Sequence, residues 1–245
     1  MLPCYTPGPW GGNRQSGAKG RWKIKLTIVA ATGGVGGNLL TQAVAAGHEV
    51  TVVVRNTARL ADLPVRVVVD DLAAPDGAAL LSAVRGADAV LSGLGARSAA
   101  EAGVASRGTR AVVEAMQTAG VPRIVVVSAA SVGTVASPGR PDPPRHNPGD
   151  GFFMRHLAAP LAKAAFRRHY EDLALMEDML RESDLDWTVA RPPRLLDRPL
   201  TGTYRTAFEQ NVRAGMFISR ADVAHLMLEV LGRPETIHRV IGIAY

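Results

Sequence analysis

The chain has 245 residues, 47% hydrophobic and 5% aromatic, which is enough apolar mass for a sizeable core and argues against wholesale disorder. Its formal net charge is +6, a balance that alone points to a polyanionic partner. Residues 1–23 and 140–168 each carry +4, however, so the remaining body is faintly acidic and nucleic-acid binding is not expected.

Residues 1–23 are rich in proline and glycine and read as a flexible leader outside the folded domain. They hold Cys4, the one cysteine, so an internal disulfide framework and a Cys-rich zinc site are both excluded, and a reducing cytoplasm fits. No signal-peptide pattern is present, and no apolar run approaches the roughly 18 residues of a membrane span. The first ordered signal is KIKLTIVAA, a strand over 23–31 that runs into glycines. A helix is expected over 36–46, stopped by Gly47, and a second strand over 48–56. A third strand at 66–72, a helix over 76–86 and a fourth strand ending near Gly93 follow. A helix over 105–119 then leads to a fifth strand at 121–131.

Strand–helix–strand repeats built on near-continuous Val/Ile strands predict a parallel sheet covered on both faces. The expected fold class is α/β, a doubly wound Rossmann sheet in one domain over 24–245, with ligands at the carboxyl ends of the strands. Residues 132–151 break the rhythm with prolines and glycines, and a long loop of that kind predicts a lid or a disordered segment. A long helix over 155–182 and a sixth strand at 185–193 come next. The tail predicts a short strand, a helix with Asp222 in its first turn, and a closing strand in RVIGIAY.

The main chemical signal is Ala30-Ala31-Thr32-Gly33-Gly34-Val35-Gly36-Gly37, between the first strand and the first helix. A turn with almost no side chains lets a pyrophosphate approach the amide groups of a helix N-terminus. Ala30 stands where the usual dinucleotide pattern has its first glycine, and Gly33 and Gly36 fill the other two places. At the end of the second strand, where an acid would hold a ribose 2′-hydroxyl, the chain has Arg55, with Arg59 four residues on. A guanidinium matches a phosphate in charge and fork geometry, so NADP(H) is expected ahead of NAD(H). The six histidines show no metal-ligand spacing, and no metal is expected.

AATGGVGG, VTVVVRNTARL, VVVDDL, LSGLGA, LRESDLDWTVARPPRLLDRPLTGTY and ISRADVAHLML occur in this order. Together they resemble the atypical short-chain dehydrogenases/reductases with an NAD(P)H-binding domain, and among these the biliverdin reductase B/flavin reductase group. The resemblance spans about residues 24–232 and is patchy over 132–168. It implies that Thr32, Gly33, Val35 and Gly36 line the pyrophosphate and that Arg55 and Arg59 meet a 2′-phosphate. It also implies Asp71 and Leu72 beside the adenine and Gly93, Leu94, Gly95 and Arg97 near the ribose and phosphates. Pro192 and Pro193 would flank the nicotinamide.

The chain also departs from its relatives. Tyr170 lacks a lysine four residues on, where Ala174 stands, so the partner that makes a short-chain dehydrogenase tyrosine acidic is missing. The group's Thr-Ser pair is replaced by Ser128-Ala129. Ser128, Ser131 and Tyr170 are the candidate proton relays, and Phe152 and Phe153 are candidate substrate contacts for a flat conjugated molecule. The expected function is NADPH-dependent hydride transfer to a small planar acceptor such as a flavin, quinone or tetrapyrrole. The alternative is a non-catalytic dinucleotide sensor that acts through a protein partner. Oligomeric state stays open.

Overall fold

The computed structural model describes residues 23–60, 63–96, 101–151 and 166–245. Eight strands form one sheet in the order β3-β2-β1-β4-β5-β6-β10-β8. Its strands are β1 (Lys25–Val29), β2 (Glu49–Val54), β3 (Arg66–Val69), β4 (Ala89–Ser92), β5 (Arg123–Val127), β6 (Asp186–Arg191), β8 (Arg205–Phe208) and β10 (Arg239–Ala244). All neighbours pair in parallel except β8, which runs antiparallel to β10 at one edge. β7 (Arg194–Leu196) and β9 (Phe217–Ser219) make a separate two-stranded parallel ribbon.

The strands' alternation sorts their side chains onto two cores. Val29, Val53, Val90, Ile124 and Val126 join one cluster with Leu80, Val112, Met116, Met176 and Leu180. These come from α2 (Gly77–Val84), α3 (Val104–Ala119) and α4 (Arg167–Glu182). Leu26, Ile28, Val52, Leu91 and Val125 join the other with Leu39, Leu40, Val223 and Met227. Those helical residues belong to α1 (Gly34–Ala45) and α5 (Arg220–Glu229). Helices therefore cover both faces, and the doubly wound single domain is as the sequence predicts. β3 is the edge opposite β8, and there Val69 stays 60% exposed.

The differences from expectation are local. α1 begins at Gly34, two residues early, because Gly33 takes an extended backbone (φ −79°, ψ 172°) and serves as its N-cap. β7 and β8 were not anticipated, since their few residues alternate weakly and leave much of their surface open. Residues 132–151, expected as a lid or a disordered stretch, are held in place. The buried Asn147 accepts from the amide of Asn211 (2.7 Å) through Oδ1, and Asp150 accepts from Asn211 Nδ2 (2.8 Å). The amide of Gly139 donates to Asp178 on α4 (2.9 Å). The long helix is described only from Arg167, and within it Leu173, Met176 and Leu180 are buried.

Candidate functional site

The order β3-β2-β1-β4 means that the chain reverses direction across the sheet between β1 and β4. A cleft opens at the carboxyl ends of the strands at such a point. The β1–α1 turn sits there. Ala30 has φ +58°, the left-handed region that glycine occupies most easily, which accounts for the pattern's usual glycine at this place. A Cβ on Gly36 would stand 2.2 Å from the carbonyl oxygen of Ala30, so no larger residue fits. A Cβ on Gly93, just past β4, would stand 2.8 Å from the amide nitrogen of Gly36. Three backbone segments thus converge with no side chain between them. No side chain caps α1, and its first turn contains no acid. Its leading amides and the positive end of its dipole are left for an anion.

Arg55 lies just beyond β2, with its side chain 52% exposed, and Nη1 donates to Glu101 Oε1 at 3.0 Å. Arg59 ends a short 3-10 turn (Thr57–Arg59) capped by Asn56 and is exposed beside it. Leu72 and Leu94 are buried and approach Gly108 of α3 from two sides. Asp71 points outward, and its Oδ1 accepts from the amide of Ala73 at 3.1 Å. Gly95 faces His169 of α4, whose Cε1 would lie 4.0 Å from a Cβ placed there. Arg97, Phe152 and Phe153 lie outside the described residues.

A second group gathers at the ends of β5 and β6. The amide of Ser128 donates to the carbonyl of Ala190 (2.8 Å) and that of Ala130 to Pro192 (2.9 Å). Ser128, Ser131, Pro192 and Pro193 therefore share one corner. Ser128 is buried, and its hydroxyl donates to Glu177 Oε1 at 2.7 Å. Glu177 has no exposed surface and also accepts from Arg191 and from Arg181 (2.7 Å). Burial alone would raise its pKa, but Arg191, Arg181 and Ser128 together hold it below the usual carboxylate range. Ser131 is half-buried on the following 3-10 turn (Ala130–Thr134). Tyr170 packs half-buried against the α2–α4 core, 6.3 Å ring to ring from Phe166.

Three residues near the cleft escape sequence reasoning. Asp172 on α4 receives the amides of Gly103, Ala105 and Ser106, each at 3.0 Å, and so caps α3 from a distance. Its partners are nearly seventy residues away in sequence, so no local pattern announces it. His169 has a buried Nδ1 without a hydrogen-bond partner among the described residues. Burial pushes its pKa below the ordinary histidine value, with Asp172 opposing. The third is Arg220, which lies against Gly34 at the start of α1. Among the described residues no cluster of His, Cys, Asp or Glu has the makings of a metal site, and no helix is long and apolar enough to cross a membrane.

Comparison with known proteins matches this geometry. The chain is 26% identical over 225 residues to the uncharacterized protein YwnB of Bacillus subtilis, covering 86% of this chain and 94% of that one. It is 27% identical to the UPF0659 protein C216.03 of Schizosaccharomyces pombe over 130 residues, about half of each chain (53% and 49%). Among solved structures it superimposes on ChuY, an anaerobillin reductase from Escherichia coli O157:H7, with a TM-score of 0.70 and 26% identity, over 90% of this chain and 96% of that one. Residues 30–234 match the NAD(P)H-binding family, from the Ala30 turn through α5, and the chain belongs to that family.

Proposed function

We propose that the protein is an NADPH-dependent reductase that passes hydride to a planar conjugated acceptor. The observation that carries the reading is the β1–α1 turn, where Gly36 and Gly93 leave the helix amides open to a diphosphate. Arg55 and Arg59 at the neighbouring strand end supply the preference for a 2′-phosphate over a free hydroxyl. Membership of the NAD(P)H-binding family supports the dinucleotide, and the likeness to an anaerobillin reductase supports reductase chemistry.

A bound nicotinamide dinucleotide supplies the hydride, which is the difficult part of the chemistry. This chain's residues bind, orient and exclude water. Leu72 offers an apolar contact for the adenine and Asp71 a polar edge, with Leu94 nearer the ribose and phosphates. Pro192 and Pro193 give a rigid wall without amide donors at the nicotinamide end. Ser128 is committed to Glu177 and serves the framework. Ser131 and Tyr170 remain the proton relays on this side of the cleft, with solvent as the other source.

The commitment of Ser128 favours one second reading, a dinucleotide sensor without turnover, as does Phe166, which keeps 58% of its surface exposed beside α4. One experiment separates the two. Thermal shift with NADPH and NADH is followed by assays of NADPH oxidation with flavins and quinones. The reductase reading expects stabilisation by NADPH and steady consumption with at least one acceptor. Binding without consumption moves the protein to the sensor class.

A further inference from the structure

Arg220 is the first residue of α5, and its side chain lies across the start of α1. A Cβ on Gly34 would stand 2.5 Å from Cδ and 2.6 Å from Nε of Arg220. The guanidinium therefore sits at the positive end of α1, whose first turn has no acid and no side-chain cap. It also sits at the positive end of its own helix, where the buried Asp222 accounts for the local charge. A cation placed between two helix N-termini is electrostatically uphill. Its one ion-pair partner among the described residues is Asp197, with Nη1 to Oδ1 at 2.8 Å, and that aspartate's side chain is 87% exposed. Such a pair is worth little in water, so it is readily exchanged for a better anion.

The placement is rigid. Ser219 caps α5 through the amide of Asp222 (2.9 Å), and Asp222 accepts from Thr201 Oγ1 (3.0 Å) and the Gly202 amide (2.8 Å). Gln42 in the last turn of α1 donates to the carbonyl of Ala221 at 2.8 Å, which ties α1 to the start of α5. From these observations we infer that Arg220 is a diphosphate-binding residue that neutralises the dinucleotide bridge from above α1, and that Asp197 holds its guanidinium until the diphosphate displaces it. The inference rests on the cofactor reading above and adds to it a charge contributed from the far end of the sequence.

The test is calorimetric titration of the whole chain with NADPH, NADH and adenosine 2′-monophosphate, which has the 2′-phosphate but no diphosphate. Arg220→Gln is expected to weaken NADPH and NADH alike, by about tenfold or more, and to leave adenosine 2′-monophosphate unchanged. The unchanged ligand shows that the variant is folded. Arg220→Lys, which keeps the charge but loses the fork, should fall between. Asp197→Asn should tighten both dinucleotides by about two- to fivefold. Unchanged dinucleotide affinity in Arg220→Gln, or equal weakening of all three ligands, would overturn the inference while leaving the cofactor reading in place. Wild-type protein that binds neither dinucleotide would remove that reading and this inference together.

Discussion

Arg55 and Arg191 each pair with a glutamate at the carboxyl end of the sheet, yet the two pairs behave as opposites. Arg55 and Glu101 meet at 3.0 Å with the arginine half in solvent. Arg191 and Glu177 are both buried and belong to a network with Arg181 and Ser128. In the first pair the arginine has water as an alternative partner, so on the proposed reading a ligand phosphate would take the carboxylate's place at little cost. The second has no alternative, and its charges must stay matched. On the proposed reading, the Arg55 pair is one where an internal anion would be exchanged for an external one, while the Arg191 pair holds the protein together. Arg220 and Asp197 fall with the first kind.

The largest expected effect breaks the buried side of this contrast. Glu177→Ala strands the Arg191 charge and should cost about 3–5 kcal/mol in a urea denaturation curve, against less than about 1 kcal/mol for Arg55→Gln, whose side chain is half in solvent. Similar losses for both would erase the distinction. Two buried carboxylates, Glu177 in this network and Asp222 outside it, predict an acid limb. Glu177 and Asp222 both lie below their ordinary ranges: burial would raise each, but the ionic and hydrogen-bond partners of Glu177 and the hydrogen bonds of Asp222 outweigh it. The unfolded chain therefore takes up protons first as pH falls. Their stabilisation is complete above about pH 5 and drains away as the pH drops through their folded values. A Glu177→Gln variant should lose part of that slope when denaturation midpoints are followed between about pH 6 and 3.

Next in size is Gly36→Ala. Its new methyl would meet the Ala30 carbonyl at 2.2 Å, and the strain should cost about 1–3 kcal/mol and abolish dinucleotide-induced thermal stabilisation. Ser128→Ala should lower stability by about 1–2 kcal/mol with turnover per folded molecule unchanged, because its hydroxyl serves Glu177 and not the cleft. A fall in turnover without loss of stability would return Ser128 to the list of proton relays. The smallest effect is expected of Ala30→Gly. Releasing a left-handed alanine at φ +58° should raise stability by up to about 1 kcal/mol in the same denaturation assay.

Much of the fold was legible because the central strands are continuous apolar runs whose period sorts cleanly onto two faces. β1, β2, β4, β5 and β6 fall within the ranges read from the sequence. β7 and β8 escaped because short edge and ribbon strands carry little periodic signal. The contacts of the proline-rich segment after β5 were not legible, because its anchors, Asp178 and Asn211, are tertiary partners. The glycine turn and Arg55 were visible because their chemistry is local. Arg220 was not, since its role depends on α5 starting beside α1, a contact made across 186 positions between Gly34 and Arg220. Glu177 was equally silent, because nothing in the i,i+4 pattern of α4 says that its carboxylate meets Arg191 of β6.

The central claim is that exposed arginines at the ends of the strands exchange their carboxylate partners for cofactor phosphates. Titration of wild type and Arg55→Asp with NADPH and NADH tests it most directly. Wild type should bind NADPH at least about tenfold more tightly than NADH, and Arg55→Asp should lose most of that ratio by weakening NADPH while changing NADH by less than about threefold. Equal affinity for the two cofactors in wild type, or equal losses for both in the variant, would contradict it.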